Sequence, residues 1–480
     1  MTHKRAAVFL SACLATILFT SRCTNNNDNK GDTTQKEDTT AITPVALPSV
    51  VPGFHFPEDS NTVYGWLKPY DSAKVYQHAW GIWAGLTTNA GQVYQGDSLL
   101  VYQTWLGIGD IQTQIENGGN ANLAAVKRGR SPLTFPNQFR DAIKFRNKTL
   151  LKGPVDTNAG NVFGTNFWVA VSYDPASAEY AISNAIFKQT VLEKFARPGG
   201  IGNIPPFPQE SINIKPVYFV GHRRDSLIRI DAWPGPPDTP QAFAPQSWNT
   251  YVYVDVANRQ PAGKKLVPAM GPNPTPQQIQ AATCNLSEFI YFSVDAAMAR
   301  YLNQQQAPVQ GDTARAGDLA LLVAMHVTTK EISNWTWQTY YWAPDPANPF
   351  SPSSRLAAQL RPAQLQGAAS HYALSTAYAE VLPNQPLDGG TNKNARPMIG
   401  YNPYLEAGFG PSAFNLPSVL NPAYNYGVQT NCMSCHSLAT MDGGLGYTTD
   451  QYIPQNDTAF RNRVKLDFAW SIQSAIIKGK

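Results

Sequence analysis

Apolar and polar positions change their period several times along the chain, and each change marks an element. From Phe167 the run Phe-Trp-Val-Ala-Val-Ser-Tyr is aromatic and β-branched, and it predicts a strand. Asp174 and Pro175 then supply an N-cap and a first-turn residue. Tyr180, Ile182, Ile186, Phe187, Val191 and Phe195 recur at helical spacing, and Pro198-Gly199 ends that predicted helix. Further strands are predicted at Ile212–Val220, Leu227–Ile230, Tyr251–Val256 and Leu319–Val327. Proline-dense loops at 233–245 and 343–352 separate them, and a helix is predicted over Ser354–Leu382. Residues 65–110 are aromatic but show no period and read as irregular, while the Pro-rich stretch Pro44–Phe56 reads as a wrap over the surface. Toward the C-terminus Val464, Leu466, Phe468, Trp470 and Ile472 alternate, which favours a half-buried strand over 464–472. Phe460, Val464, Phe468, Ile472 and Ile476 also share one helical stripe, so a helix competes there. No internal repeat is evident. The expected class is α+β, rich in β, with a large loop-rich region at 44–400 and a C-terminal segment at 401–480 packed against it.

The first residues follow another logic. Lys4 and Arg5 precede an apolar stretch, Ala6 to Thr20, of the length found in export signals and too short for a comfortable membrane span. Cys23 follows, then a polar run to Thr40. A cysteine between an export signal and a polar tether resembles a bacterial lipoprotein, in which that cysteine is lipidated. The resemblance implies a signal over 1–22, lipidation at Cys23, a tether over 23–43 and anchoring of the exported protein to a membrane. Arg22 stands where that family has a small residue; Cys13, after Leu10-Ser11-Ala12, matches the residue pattern but leaves a short apolar run. Simple cleavage to a soluble periplasmic protein is the alternative.

Composition narrows the function. Charged residues make up only 15% of the 480, against a usual quarter or so. The net charge of +4 forms no basic stripe, so nucleic acid is not an expected partner. Beyond Cys13 and Cys23 only Cys284, Cys432 and Cys435 remain, which is no disulfide framework for a chain this large.

Two of those cysteines lie in Asn431-Cys432-Met433-Ser434-Cys435-His436, a C-x-x-C-H sequence. This is the attachment pattern of c-type haem, in which two thiols add to the haem vinyl groups and the next residue offers its imidazole to the iron. With five Cys and seven His, chance produces the pattern in roughly one chain in a thousand. A thioredoxin-type dithiol would open a helix after a strand in a βαβ unit, and a zinc site would need a second Cys or His pair; neither pattern is present. One covalent haem c is therefore expected on Cys432 and Cys435, with His436 as the proximal iron ligand.

The motif lies late in the chain, and Met441, the one Met after it, is too near His436 to reach the opposite face of a haem. A free-standing small cytochrome domain does not fit, so the rest of the chain must cover the haem. Sixth-ligand candidates are His326, His371, His222, Met398, Met325 and His78. His326 stands out, since it closes the apolar run Leu319–Val327 ahead of Trp335, Trp337, Tyr340, Tyr341 and Trp342, although a buried strand histidine bonded to its neighbours looks the same in sequence. His222-Arg223-Arg224-Asp225 reads as a turn or surface charge cluster, with a haem propionate as an alternative partner for either arginine. Cys284 reads as a small buried hydrophobe, and Glu331 and Asp467 as structural acids. Hydrolase, zinc-protease, phosphate-loop and EF-hand motifs are missing.

Segments 167–230 and 318–342, the Asn-Cys-x-x-Cys-His sequence and Lys465-Leu466-Asp467-Phe468 resemble a group of large exported bacterial proteins that carry one C-terminal haem motif. The resemblance implies export and haem, and no particular activity. The expectation is an exported single-haem c-type cytochrome-like redox protein, a carrier or oxidoreductase subunit meeting a redox partner protein. The rivals are a haem enzyme with an open iron site of peroxidase type, and an aromatic-rich module binding carbohydrate or another polymer with haem as an accessory.

Overall fold

A computed structural model describes residues 41–119, 123, 128–136, 167–239, 241–261, 263–305, 312–379, 381–382, 396–397, 400–408, 432–443 and 455–479. The stretch expected to be an export signal, Cys23, most of the expected tether and Met398 lie outside these residues. The tether's last residues do not behave as one. Ile42 is fully buried and donates its N–H to the Arg128 carbonyl, and Thr43 exchanges two hydrogen bonds with the Gln92 amide. Residues 38–480 belong to one compact unit.

The class is α+β. Its frame is an eight-stranded sheet around the strand Leu319–Thr329, whose run Leu-Ala-Leu-Leu-Val-Ala-Met is buried on both faces. A continuous apolar run is what such a strand needs, since neither face meets water. It pairs antiparallel with Ile212–Gly221 on one side and with Thr336–Trp342 on the other, and Tyr372–Thr376 extends the sheet beyond the latter. Pro216 has no N–H to give the ladder, and one strand over the register slips between Leu322 and Ala324. A second sheet of four strands holds Leu227–Asp231, Thr250–Asp255, Ala269–Met270 and Thr283–Asn285. The strands predicted at 167, 212, 227, 251 and 319 are all present.

Other expectations give way to tertiary structure. The helix beginning at Pro175 stops at Ser183; Ala185 turns left-handed at φ 48°, and a short helix resumes only at Gln189–Leu192. Past that turn Ile186 and Phe187 are both completely buried. The helix predicted over 354–382 survives as Arg355–Gln359 and a short 3-10 stretch, Gly367–His371, because Arg361-Pro362 ends the first and Tyr372–Thr376 pairs into the sheet instead. The stretch 464–472 divides: Val464–Lys465 is a strand parallel to Gly202–Asn203, and Trp470–Gln473 is a helical turn.

Residues 65–110 are far from irregular. They contain the helix Ser72–Leu86, which is buried from His78 to Leu86 without interruption. A helix buried all round shows no amphipathic period. The Pro-rich stretch lies directly on it: a Cβ on Gly81 would land in the Phe54 ring, and one on Gly85 against Leu47 and the Pro48 carbonyl.

Among the described residues two large apolar cores and two small clusters result. The larger holds Trp80, Trp83, Tyr340, Tyr341 and Trp342. The second joins Ile182, Phe187, Trp335 and Trp337 to Met433, Val464, Leu466, Phe468 and Ile472, so the C-terminal segment completes it. The buried Asp174 ties that region together, because its carboxylate accepts N–H bonds from Ser177 in the helix (2.9 Å) and from Ile212 at the strand start (2.9 Å). Asp174→Ala should therefore cost about 2–4 kcal/mol, about one for the lost cap and the rest for an orphaned buried N–H. Urea denaturation should show a lower midpoint at unchanged slope.

Candidate functional site

Cys432–His436 forms one turn of α-helix. A turn places positions i, i+3 and i+4 on one side, so Cys432, Cys435 and His436 share a face. Met433 points away into the second core and is only 2% exposed. Past the turn the chain doubles back, with Met441 N–H on the Val464 carbonyl and Leu466 N–H on the Ala439 carbonyl. The pairing locks the helical turn beside residues 464–470.

His436 is fixed from two sides. Its ring lies 4.4 Å from the Trp337 ring, tilted by 46°. Nδ1 lies 2.7 Å from the Phe468 carbonyl oxygen. A carbonyl can only accept, so Nδ1 must carry the proton and donate it. Burial pushes the imidazole pKa down to about 4, helped by His326 and Lys215 and opposed by the Phe468 carbonyl and Glu406. The ring is therefore neutral at ordinary pH, with its lone pair on Nε2. Trp470 Nε1 donates to the Cys435 carbonyl at 3.0 Å, a second tie to the same turn.

Neither cysteine of the turn is in a disulfide. Burial, then the nearby Glu406 and Cys435, raise the Cys432 thiol well above its usual range. Reactive or metal-binding thiols are shifted the other way. Its Sγ lies 3.6 Å from the Gly400 carbonyl and also contacts the Thr339 hydroxyl.

That hydroxyl leads to His326. Strand register sets Lys215, His326, Thr339 and Ser375 in one row across four strands. His326 Nδ1 is 2.6 Å from Thr339 Oγ1, and Nε2 is 2.7 Å from Glu406 Oε1. Burial pulls the Glu406 pKa up, but His326, the Asn402 N–H and Lys215 outweigh it and hold the carboxyl below its ordinary value. Lys215 falls to about 8 through burial, against the pull of Glu406. The structure thus brings His326 to the C-x-x-C-H turn with both its ring nitrogens bonded. A metal at either one would have to displace Thr339 or Glu406.

The other candidates lie elsewhere. Met325, next to His326 on the strand, faces the opposite side and the larger core. His78 is buried, with Nδ1 2.8 Å from the Tyr378 hydroxyl and Nε2 3.0 Å from Glu331. The turn expected there is present, closed by the Asp225 N–H on the His222 carbonyl, with Arg224 exposed and Asp225 half-buried, but His222 itself is buried on Asp318 at 2.9 Å. Arg223 donates to the Gly317 carbonyl and Arg224 pairs with Asp312 at 2.6 Å. His371 stands 3.7 Å from Glu288. Cys284 is buried against the Tyr253 carbonyl, its thiol raised by burial.

Glu406, Lys215, Thr339 and Phe468 escaped the sequence reading as site residues. The one available signal was Lys215 itself, a lysine inside the apolar run from Ile212 to Val220. Among the described residues no group of three or more His, Cys, Asp or Glu is placed to hold a metal ion by itself, and no helix is long and apolar enough to cross a membrane. No protein-family model, curated protein or solved structure matches the chain.

The low His436 pKa has a consequence for stability. Unfolded, His436 takes up a proton near pH 6.5; folded, it does so near 4. Between these values the unfolded chain binds more protons, so this contribution is full above about pH 6.5 and is lost as pH falls toward 4. In protein made without cofactor, the stability gap between wild type and His436→Gln should shrink over that window. A gap independent of pH in urea titrations would count against it.

Proposed function

We propose that this is an exported redox protein with one covalent haem c, held by thioether bonds from Cys432 and Cys435 and by His436 Nε2. The observation that carries the reading is the bond from His436 Nδ1 to the Phe468 carbonyl. It sets the neutral tautomer whose remaining nitrogen can ligate a metal, the arrangement typical of a histidine ligand held by an outer partner. The protonated thiol of Cys432 supports thioether formation over a thiolate metal site or a redox dithiol. Haem would supply a one-electron couple. Trp337 and Phe468 shield and orient the imidazole, Trp470 holds the Cys435 carbonyl, and Lys215 and Glu406 set the local charge. The protein's role is then to pass electrons to a partner through a small, weak interface, in the periplasm or at a membrane reached through a lipid on Cys23.

A second reading rests on His326. With Thr339 and Glu406 holding both its nitrogens, the sixth iron position would be left to a small molecule, as in a haem enzyme.

Protein expressed for export with the haem-attachment machinery should be coloured and heavier by one haem, and Cys432→Ala with Cys435→Ala should abolish the covalent mass. A colourless wild-type protein lacking that mass would refute the proposal. Within it, a spectrum altered by carbon monoxide favours the open iron, and an unchanged six-coordinate spectrum favours the electron carrier.

A further inference from the structure

Asp467 and Phe468, neither of them glycine, both adopt left-handed backbone conformations, at φ 45° and 69°. They are the central pair of a tight turn closed by the Ala469 N–H on the Leu466 carbonyl at 2.9 Å. Positive φ at both central residues is the geometry for which Asn-Gly is the usual sequence, and a phenylalanine there is out of place unless something holds it. The side chain of Asp467 provides the hold. One carboxylate oxygen meets Lys330 Nζ at 2.6 Å and the other accepts the Phe207 N–H at 2.9 Å. Lys330 is in turn fixed by the Ser333 carbonyl at 2.9 Å and lies 5.3 Å over the Trp335 ring.

The turn's output is the Phe468 carbonyl on His436 and, two residues later, the Trp470 indole on the Cys435 carbonyl. A relaxed extended segment would turn that carbonyl away. We infer that Asp467, clamped by Lys330, is a positioning residue that aims the Phe468 carbonyl at His436 Nδ1 and so fixes the tautomer and basicity of the imidazole. The inference rests on the haem reading for its redox consequence, but its geometric part stands without it.

Asp467→Asn removes the charge that Lys330 grips while keeping an acceptor for Phe207, and Lys330→Gln removes the other partner. Either should let the Nδ1 bond loosen. In haem-free protein, ¹⁵N NMR should show His436 passing from one tautomer to a mixture. In haem-loaded protein, a less basic ligand favours reduced iron, so the midpoint should rise by about tenfold in the oxidised-to-reduced equilibrium, about 59 mV for one electron. Lys330→Arg, which keeps the charge, should retain the wild-type tautomer and potential. If Asp467→Asn fails to fold, Lys330→Gln carries the test, since it leaves the Phe207 bond in place. Variants with wild-type tautomer and potential but lower stability would overturn the inference and reduce the clamp to a structural ion pair. Absence of haem from the wild type would overturn the haem reading alone, and the tautomer measurement would still decide on the clamp.

Discussion

A neutral imidazole inside a protein has one proton to place, and the Phe468 carbonyl decides where His436 keeps it. The bond settles which nitrogen is basic and which way the ring faces, and it ties the C-x-x-C-H turn to a segment more than thirty positions later. Around it the remaining contacts are consistent. Met433 anchors the turn from behind, Trp337 covers the ring, and Trp470 holds the Cys435 carbonyl. Buried polar groups are tolerated when each has a partner, and here the partners from outside the turn come from two distant stretches, Trp337 and the segment 468–470.

The large sheet makes that convergence possible. Its central strand is apolar enough to be buried on both faces, yet one row across it carries Lys215, His326, Thr339 and Ser375. In this half-buried row Glu406 is held below its ordinary value mainly by His326, with Lys215 adding to it, while burial still pulls Lys215 down against the attraction of Glu406. Whatever lies against the turn on this side meets a preset arrangement of charge.

The strands at 167, 212, 227, 251 and 319 were legible because a buried strand announces itself as an apolar run bounded by turn residues; those at Ala269–Met270, Thr283–Asn285 and Tyr291–Ser293 are too short to show one. The helix at 72–86 was not, since a helix surrounded by protein has no polar face to mark its period. The break at Ala185 depended on what the following residues packed against, which no local window contains, whereas the stop before Arg361-Pro362 was a local signal that the predicted helix overran. The three motif residues were legible as chemistry, as was the attention drawn to His326. Their surroundings were not: Glu406 joins His326 from eighty positions away, and only strand register sets Lys215 beside it. Asp467 looked like any scattered acid because its role lies in a backbone conformation rather than in a neighbouring residue.

The half-buried cysteines of the turn are enclosed by pieces drawn from widely spaced stretches, among them Thr339, Gly400 and the 468–470 segment. Such distant pieces come together late, since closing long loops is entropically slow. Before that moment both sulfurs lie open on an unstructured strand of peptide, and afterwards the surrounding protein restricts approach to them. Any modification that must reach the pair from one side is thus placed early in the life of the chain, and the architecture works as a gate in time as well as in space.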